Sequence, residues 1–208
     1  MDNKNQQIHF DKQKNRYKIG LLKHPPKRQL LEYQKMETEL DLPIGSKLMD
    51  FGSGNGRVAL YFLSRGYNIH AVDVSKPSLL ELTKIYKQIK ISSWGILTTS
   101  IQLPTTPLFD GIVGADILHH VDIHTILPQL TKTVKKNGVL VFSEPNGWNV
   151  LWYIYIFLRK LPWSIEKNIL NMNPFFLQSA FQNAGFDHVT ISPYKFRLII
   201  SACSCSQS

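Results

Sequence analysis

After Pro25-Pro26 the chain alternates between two apolar patterns. Short, nearly continuous apolar runs read as buried strands, and longer stretches with apolar residues every three or four positions read as amphipathic helices. Arg28 to Leu40, with Leu30, Leu31, Met36 and Leu40 among charges, predicts a helix that Pro43 stops. Lys47 to Phe51 predicts a strand, Arg57 to Arg65 a helix ended by Gly66, and Asn68 to Val72 a second strand. Ser75 is placed to cap a helix reaching about Lys90. Gly95 to Thr99, Gly111 to Ala115 and Gly138 to Ser143 read as strands, with a helix from Ile123 to Lys135 before the last of them. Asn173 and Pro174 open a helix to Ala184 that Gly185 closes. His188 to Ser192 and Arg197 to Ala202 read as a final strand pair turning at Pro193-Tyr194.

Strands and helices alternating at these lengths imply an α/β domain with a parallel sheet covered on both faces. Residues 1–24 are polar, rich in Asn, Gln and Lys, and lack either pattern, so a flexible basic arm is expected there and one domain over 25–208. A chain of 208 residues with 43% hydrophobic content supports one substantial core.

Charge and cysteines narrow the picture. The net charge of +9 is concentrated near the start, where residues 1–35 carry nine Lys or Arg against three acids. Such a run can attract an anionic partner, but it more often forms a solvated tail, and it lacks the interleaved aromatics of a single-strand nucleic-acid platform. Nucleic acid is therefore not the expected partner. No secretory signal pattern opens the chain, so the expectation is a cytoplasmic protein. Cys203 and Cys205, the two cysteines, are too close for an unstrained disulfide and have no further ligands in sequence to complete a metal set, so no metal site is expected.

One stretch breaks the alternation of polar and apolar faces. Trp148 to Leu158 (WNVLWYIYIFL) is apolar at nearly every position, yet too short for the ~20 residues that span a bilayer. Three readings stay open: a buried core helix, an interfacial segment on a membrane assisted by Arg159, Lys160 and Lys167, or the wall and lid of an apolar acceptor pocket.

The candidate chemistry lies at the strand ends. Asp50-Phe51-Gly52-Ser53-Gly54-Asn55-Gly56 runs from a strand into a helix, which puts a glycine turn at the carboxyl edge of the sheet. A nicotinamide-type loop places its third glycine three residues after the second; here Arg57 holds that position and the third glycine is Gly56. Asp50 would repel a pyrophosphate but suits a ligand carrying an ammonium and a sulfonium. Asp73 ends the second strand where a carboxylate can accept from both ribose hydroxyls, the alternative being a helix-start carboxylate beside Ser75. Together these residues indicate an adenosine-containing cofactor. His119, His120 and His124 follow the fourth strand and are candidates for a proton acceptor, with a packing role as the alternative. Glu144 and Asn146 follow the fifth strand and either face the acceptor or make loop hydrogen bonds.

The runs DFGSGNGR (50–57), AVDVS (71–75), QLP (102–104), FDGIVGADILHHV (109–121), LTKTVKKNGVLVFSEPN (130–146) and FQNAGF (181–186) resemble the class I, small-molecule methyltransferases related to ubiquinone and menaquinone biosynthesis enzymes, over about residues 25–190. The resemblance implies a Rossmann-like, doubly wound, mostly parallel seven-stranded sheet with an antiparallel last strand, and S-adenosyl-L-methionine as cofactor. It also implies a site in which Asp50 lies near the methionine amino group, Gly52, Ser53, Gly54 and Gly56 form the loop against the methionine part, and Asp73 binds the ribose. Thr99 and Ser100 would then lie by the adenine, and Ala115 would line the methionine side through its backbone.

A sulfonium methyl is already activated, so the expected function is methyl transfer to a small, apolar acceptor, achieved mainly by alignment and exclusion of water, with a base needed only for a hydroxyl. Two alternatives stand beside it. An RNA methyltransferase would expect an Asn/Asp-Pro-Pro-aromatic motif after the fourth strand or a nucleophilic cysteine, and neither is present. A cofactor-binding protein that has lost catalysis and serves as a partner subunit is the other, and the intact cofactor loop argues against that loss.

Overall fold

A computed structural model describes residues 25–204 together with residue 20; the expected arm over 1–24 and Cys205 fall outside what is described. Seven strands form one sheet in the order β3-β2-β1-β4-β5-β7-β6. They are β1 (Lys47–Phe51), β2 (Asn68–Val72), β3 (Leu97–Ser100), β4 (Phe109–Ala115), β5 (Val134–Pro145), β6 (Asp187–Tyr194) and β7 (Arg197–Cys203). Pairing is parallel from β3 through β5, and β7 runs antiparallel to both its neighbours, β5 and β6. The Rossmann-like sheet with one reversed strand is therefore present.

Helices cover both faces. One core packs α1 (Lys27–Leu40), α2 (Arg57–Ser64) and α3 (Lys76–Ile89) against the sheet through Tyr33, Met36, Phe62, Leu63 and Leu82. The opposite core packs α4 (Ile123–Thr131) and α7 (Pro174–Asn183) through Leu127, Leu130, Leu177 and Phe181. Every one of these side chains is almost fully buried, and each contributes roughly 1.5–3 kcal/mol by leaving water. Helix starts follow local chemistry: Ser75 caps α3 by accepting from Ser78 N–H, and Asn173 caps α7 by accepting from Phe176 N–H.

Several boundaries differ from the sequence reading. The helix expected to reach Lys135 ends at Thr131, and β5 begins at Val134, before Gly138. Val134 continues the apolar spacing of α4 but is buried by pairing with Phe109, and the ladder then skips to Gly111 and Val139. Asn137, in the left-handed region at φ 61°, carries the chain through that irregularity. The final hairpin turns at Lys195-Phe196, because Tyr194 still pairs with Arg197. The third strand starts at Leu97, two residues later than Gly95.

Between β5 and α7 the chain makes an excursion through α5 (Val150–Leu158), α6 (Trp163–Glu166) and a 3-10 segment, Lys167–Asn171. Its two ends are tied where Gly147 N–H donates to the Met172 carbonyl at 2.7 Å. The core reading of Trp148–Leu158 is overturned, for only Ile156 of α5 is buried while Phe157 and Leu158 are 81% and 70% exposed. No helix among the described residues is long and apolar enough to cross a membrane.

Candidate active site

Strand order reverses between β1 and β4, the point where open α/β sheets leave a crevice at the carboxyl ends of the strands. A cleft of about 850 Å³ opens there. Its floor is the loop after β1, where Gly52, Ser53 and Gly54 all line the space. A side chain at Gly56, where φ is 88°, would strike Leu82 Cδ1 of α3 at 2.1 Å. Gly54 differs: it has φ 50° and nothing among the described residues within 4 Å of where a Cβ would stand. The loop is thus left-handed at Gly54 and leaves room beside it.

Asp73 braces this loop. One carboxylate oxygen accepts from Gly54 N–H and the other from Ser75 N–H, each at 2.8 Å. The helix-start role and the cleft role coincide, since Asp73 also lines the cleft, and a carboxylate offers about four acceptor directions. Ser53 Oγ is buried and lacks a partner among the described residues, which makes it a polar atom for a ligand to satisfy.

Asp50, Thr99 and Ser100, three of the expected site residues, lie outside the cleft lining. Asp50 does not line the cleft; its carboxyl is buried behind the glycine loop, with Oδ2 unpartnered among the described residues. Strand alternation explains this, because Phe51 takes the cleft side and Asp50 the side of α2. Burial raises the Asp50 carboxyl to about 7, and the Asp73 charge adds to the rise while the Ala59 amide and Arg57 oppose it. Thr99 and Ser100 also lie outside the cleft lining; β3 is an edge strand ending at Ser100, whose hydroxyl donates to the Gln102 carbonyl. Ile101, Leu103 and Val74 line that end of the cleft instead. Ala115 lines the cleft where expected.

The cleft is also lined by an ion network that the sequence pattern does not announce. Asp116, left-handed at φ 56°, pairs with Arg57 and, at 2.6 Å, with Arg197 Nη2. Arg197 also donates through Nε to Ser143 Oγ at 2.7 Å and through Nη2 to the Ser143 carbonyl at 2.6 Å. Glu32 Oε1 accepts from Ser143 Oγ at 2.8 Å and lies 3.1 Å from Arg197 Nε. Burial works against the Asp116 charge, but the two guanidiniums, Arg197 first, hold its carboxyl far below the usual range. Helices α1 and α2 and the ends of β4, β5 and β7 are thereby tied together at the cleft's edge.

The histidines separate. His119 and His120 sit side by side in a 3-10 turn, Leu118–His120, with ring centroids 3.9 Å apart, and both are buried and line the cleft. His124 lines a different hollow with Asn168 and stacks edge-on against Phe176. Glu144 does not line the cleft. Its Oε1 accepts from the Ile117 and Leu118 amides at 2.8 Å each, and its Oε2 meets His119 Nδ1 at 2.6 Å. Asn146 makes the loop hydrogen bond, accepting from Trp148 N–H. His119 Nε2 lies 3.6 Å from Glu166 Oε2, an acid with no sequence motif to mark it because it arrives from the far excursion. Burial opposes charge on His119, but Glu144, then Glu166 and Asp116, outweigh it and raise the imidazole to about 9. Burial, and then the neighbouring His119, lower His120 to about 4.

Above these polar groups the wall is apolar. Leu151, Trp152, Tyr155 and Ile156 turn one side of α5 to the cleft, facing Ile117 and Ile126. Trp152 Nε1–H donates to the Phe196 carbonyl at 2.8 Å, which fastens α5 to the β6–β7 hairpin.

Comparison with known proteins agrees with this architecture. Residues 49–140 match a family model described as a methyltransferase domain. A ubiquinone biosynthesis O-methyltransferase of Rickettsia typhi is 29% identical over 102 residues, which is 48% of this chain and 41% of that protein. The chain thus spans less than half the length of that relative. Among solved structures, the methyltransferase held in complex with the Haloferax volcanii Trm112 activator superposes with a TM-score of 0.70 at 14% identity, over 95% of this chain and 98% of that one. A SAM-dependent methyltransferase from Aquifex aeolicus gives 0.67 at 16% identity, over 90% and 99%. At such identities the superpositions speak for the fold alone. Residues 49–140 are thus similar in sequence to a methyltransferase domain, on a fold shared with solved methyltransferases.

Proposed function

We propose that this protein transfers the methyl group of S-adenosylmethionine to a hydroxyl of a small, apolar acceptor. The observation that carries the reading is the cleft itself: a left-handed glycine loop braced by Asp73 at one end, and an apolar wall from α5 at the other, in one continuous space. Ser53 Oγ and the Asp73 carboxylate supply polar contacts for the methionine and ribose parts, and Ile101, Leu103 and Val74 an apolar slot for the base. Asp50 acts through the loop by its charge, without touching the cofactor. The cofactor supplies an activated methyl; the chain's task is to hold the acceptor oxygen in line with it and keep water out.

Oxygen is favoured as the methylated atom by the name of the Rickettsia typhi relative, and by His120, which lines the cleft uncharged at neutral pH and can accept a proton where the already protonated His119 does not. An apolar acceptor is favoured by Leu151, Trp152, Tyr155 and Ile156. The outer side of the same helix exposes Val150, Ile154, Phe157 and Leu158 beside Arg159 and Lys160, which suits contact with an anionic lipid surface holding such a molecule.

The test is twofold. S-adenosylhomocysteine should bind the purified protein in calorimetry, and labelled S-adenosylmethionine should pass label to a hydroxylated, lipid-soluble compound in a panel of acceptors. Absence of S-adenosylhomocysteine binding sinks the reading. Label appearing only in RNA replaces the acceptor class.

A further inference from the structure

We propose that the base end of the cleft does not read the 6-position of the cofactor's purine, so that sulfonium and thioether cofactors with a 6-oxo or an N6-alkyl purine bind about as tightly as the adenine form. The inference rests on the cofactor placement proposed above, with the ribose at Asp73 and the base beyond it.

Between Val74 and Leu103 the chain lends four residues to the cleft lining: Val74, Ser78, Ile101 and Leu103. Three are apolar. Ser78 Oγ lies 3.1 Å from Ser75 Oγ, and a hydroxyl can donate or accept, so it serves an amino and an oxo group alike. The side chains that the sequence offered for the adenine are turned elsewhere. Thr99 is exposed on the edge strand β3 and stays out of the cleft. Ser100 Oγ donates to the Gln102 carbonyl at 2.8 Å and accepts from Gln102 N–H at 3.1 Å, while the Ser100 carbonyl accepts from Asp73 N–H at 3.2 Å. The end of β3 thus closes its own hydrogen bonds in a tight turn and presents the flanking Ile101 and Leu103 to the cleft.

The consequence is a matter of what is left unpaired. Adenine donates at its 6-amino group and accepts at N1, and hypoxanthine reverses both. A site that hydrogen-bonds such a group rejects the wrong form by roughly 10⁴-fold, because its own buried donor or acceptor loses a partner. An apolar slot strands no protein group when amino is exchanged for oxo. Its rim is also wet, since Val74 and Ile101 are 51% and 54% exposed. The 6-substituent therefore keeps its hydration in either form, and the two bases differ little in what they lose on binding. The same opening gives an alkyl group on N6 room to extend. Shape and apolar contact hold the base, and Ile101 is the residue through which specificity can be changed.

The test is calorimetry on the full chain with S-adenosylhomocysteine, its hypoxanthine counterpart S-inosylhomocysteine, and N6-methyl-S-adenosylhomocysteine. All three should bind with affinities within about fivefold of one another. Ile101→Ala should weaken all three in parallel, by about three- to tenfold, through lost apolar contact. Ile101→Asp places an acceptor at the exposed rim and should create a preference of about tenfold or more for the 6-amino form over the 6-oxo form. A wild-type preference greater than fivefold for S-adenosylhomocysteine over S-inosylhomocysteine overturns the inference and leaves the methyl-transfer reading standing. Unchanged affinities in both Ile101 variants also overturn it, for the base then lies away from this slot. If S-adenosylhomocysteine itself does not bind, the methyl-transfer reading falls and takes the inference with it.

Discussion

Gly54 N–H donates to Asp73 Oδ2 at 2.8 Å, so the residue expected to bind the cofactor's ribose also holds the loop beneath it in shape. Asp73→Ala removes both at once. Affinity for S-adenosylhomocysteine is expected to fall ten- to a hundredfold, about 1.5–3 kcal/mol for hydrogen bonds to a charged group. Calorimetry on a variant with an intact circular dichroism spectrum measures this, and unchanged affinity would remove Asp73 from the site.

Gly54→Ala isolates the loop from the carboxylate. The open space around Gly54 spares the new methyl group a clash, but φ 50° makes alanine unfavourable by about 1–2 kcal/mol. A drop in thermal midpoint of a few degrees is expected, with a larger loss of cofactor affinity because the methyl occupies space left for the ligand. Equal affinity in wild type and variant would place the cofactor elsewhere.

Asp50 gives the cofactor site a pH dependence. Its carboxyl is raised to about 7 in the folded chain, from an ordinary value of 3.8. A cationic ligand favours the ionised form, so affinity for S-adenosylmethionine should rise as pH passes upward through 7, by up to about tenfold between pH 6 and 8 for a single group. Without ligand the folded state holds a proton that the unfolded chain has released, so stability should decline as pH rises from about 4 to about 7. Both trends should vanish in Asp50→Asn; if calorimetric affinity in wild type is flat from pH 6 to 8, the charge of Asp50 does not reach the ligand.

The cleft's back wall should be sensitive to charge balance. Arg197→Met leaves Asp116 and Glu32 short of a buried partner, a change that typically destabilises by about 3–5 kcal/mol. In a domain of this size that lowers the thermal midpoint by roughly 10 °C. Adding Asp116→Asn should restore part of the loss, and a double variant no better than the sum of the single ones would show that the pair does not act as a unit.

Trp152 and Tyr155 test the apolar wall. Trp152→Ser and Tyr155→Ser should reduce turnover of an acceptor at least tenfold while S-adenosylhomocysteine affinity stays within about twofold, since neither side chain stands at the glycine loop. Parallel loss of both would make α5 a structural brace, with no part in choosing the acceptor.

Legibility followed the range of the interactions involved. β1 and β2 match their expected limits because each is a compact apolar run bounded by turn residues, and Ser75 and Asn173 announce helices through caps that act within three residues. The end of α4 falls short of its expected limit because Val134 keeps the helical spacing by coincidence while its burial comes from Phe109 across the sheet. The glycine loop and Asp73 are readable from a local run and a fixed spacing. Arg57, Asp116, Arg197 and Glu32 are not, for their contacts join residues far apart in the chain, 111 positions for Ser143 with Glu32 and more for Arg197 with Glu32, and leave no local pattern. Ile101 and Leu103 flank Gln102 just past the edge strand β3, and apolar residues at the carboxyl end of such a strand are a local signal for a cleft wall.

β7 succeeds β6 in the chain yet lies between β5 and β6 in the sheet. β6 reaches the sheet only through β7, so the two join the open edge of β5 as a hairpin, an insertion that brings Arg197 to Asp116 and Ser143. Until that insertion β5 has a bare edge and the Asp116 turn lacks one of its two guanidiniums. Vectorial folding on the ribosome can lay down the glycine loop early, but the cleft acquires its final shape in a late, concerted step. Chains stalled before residue 197 should accordingly be targets for quality control.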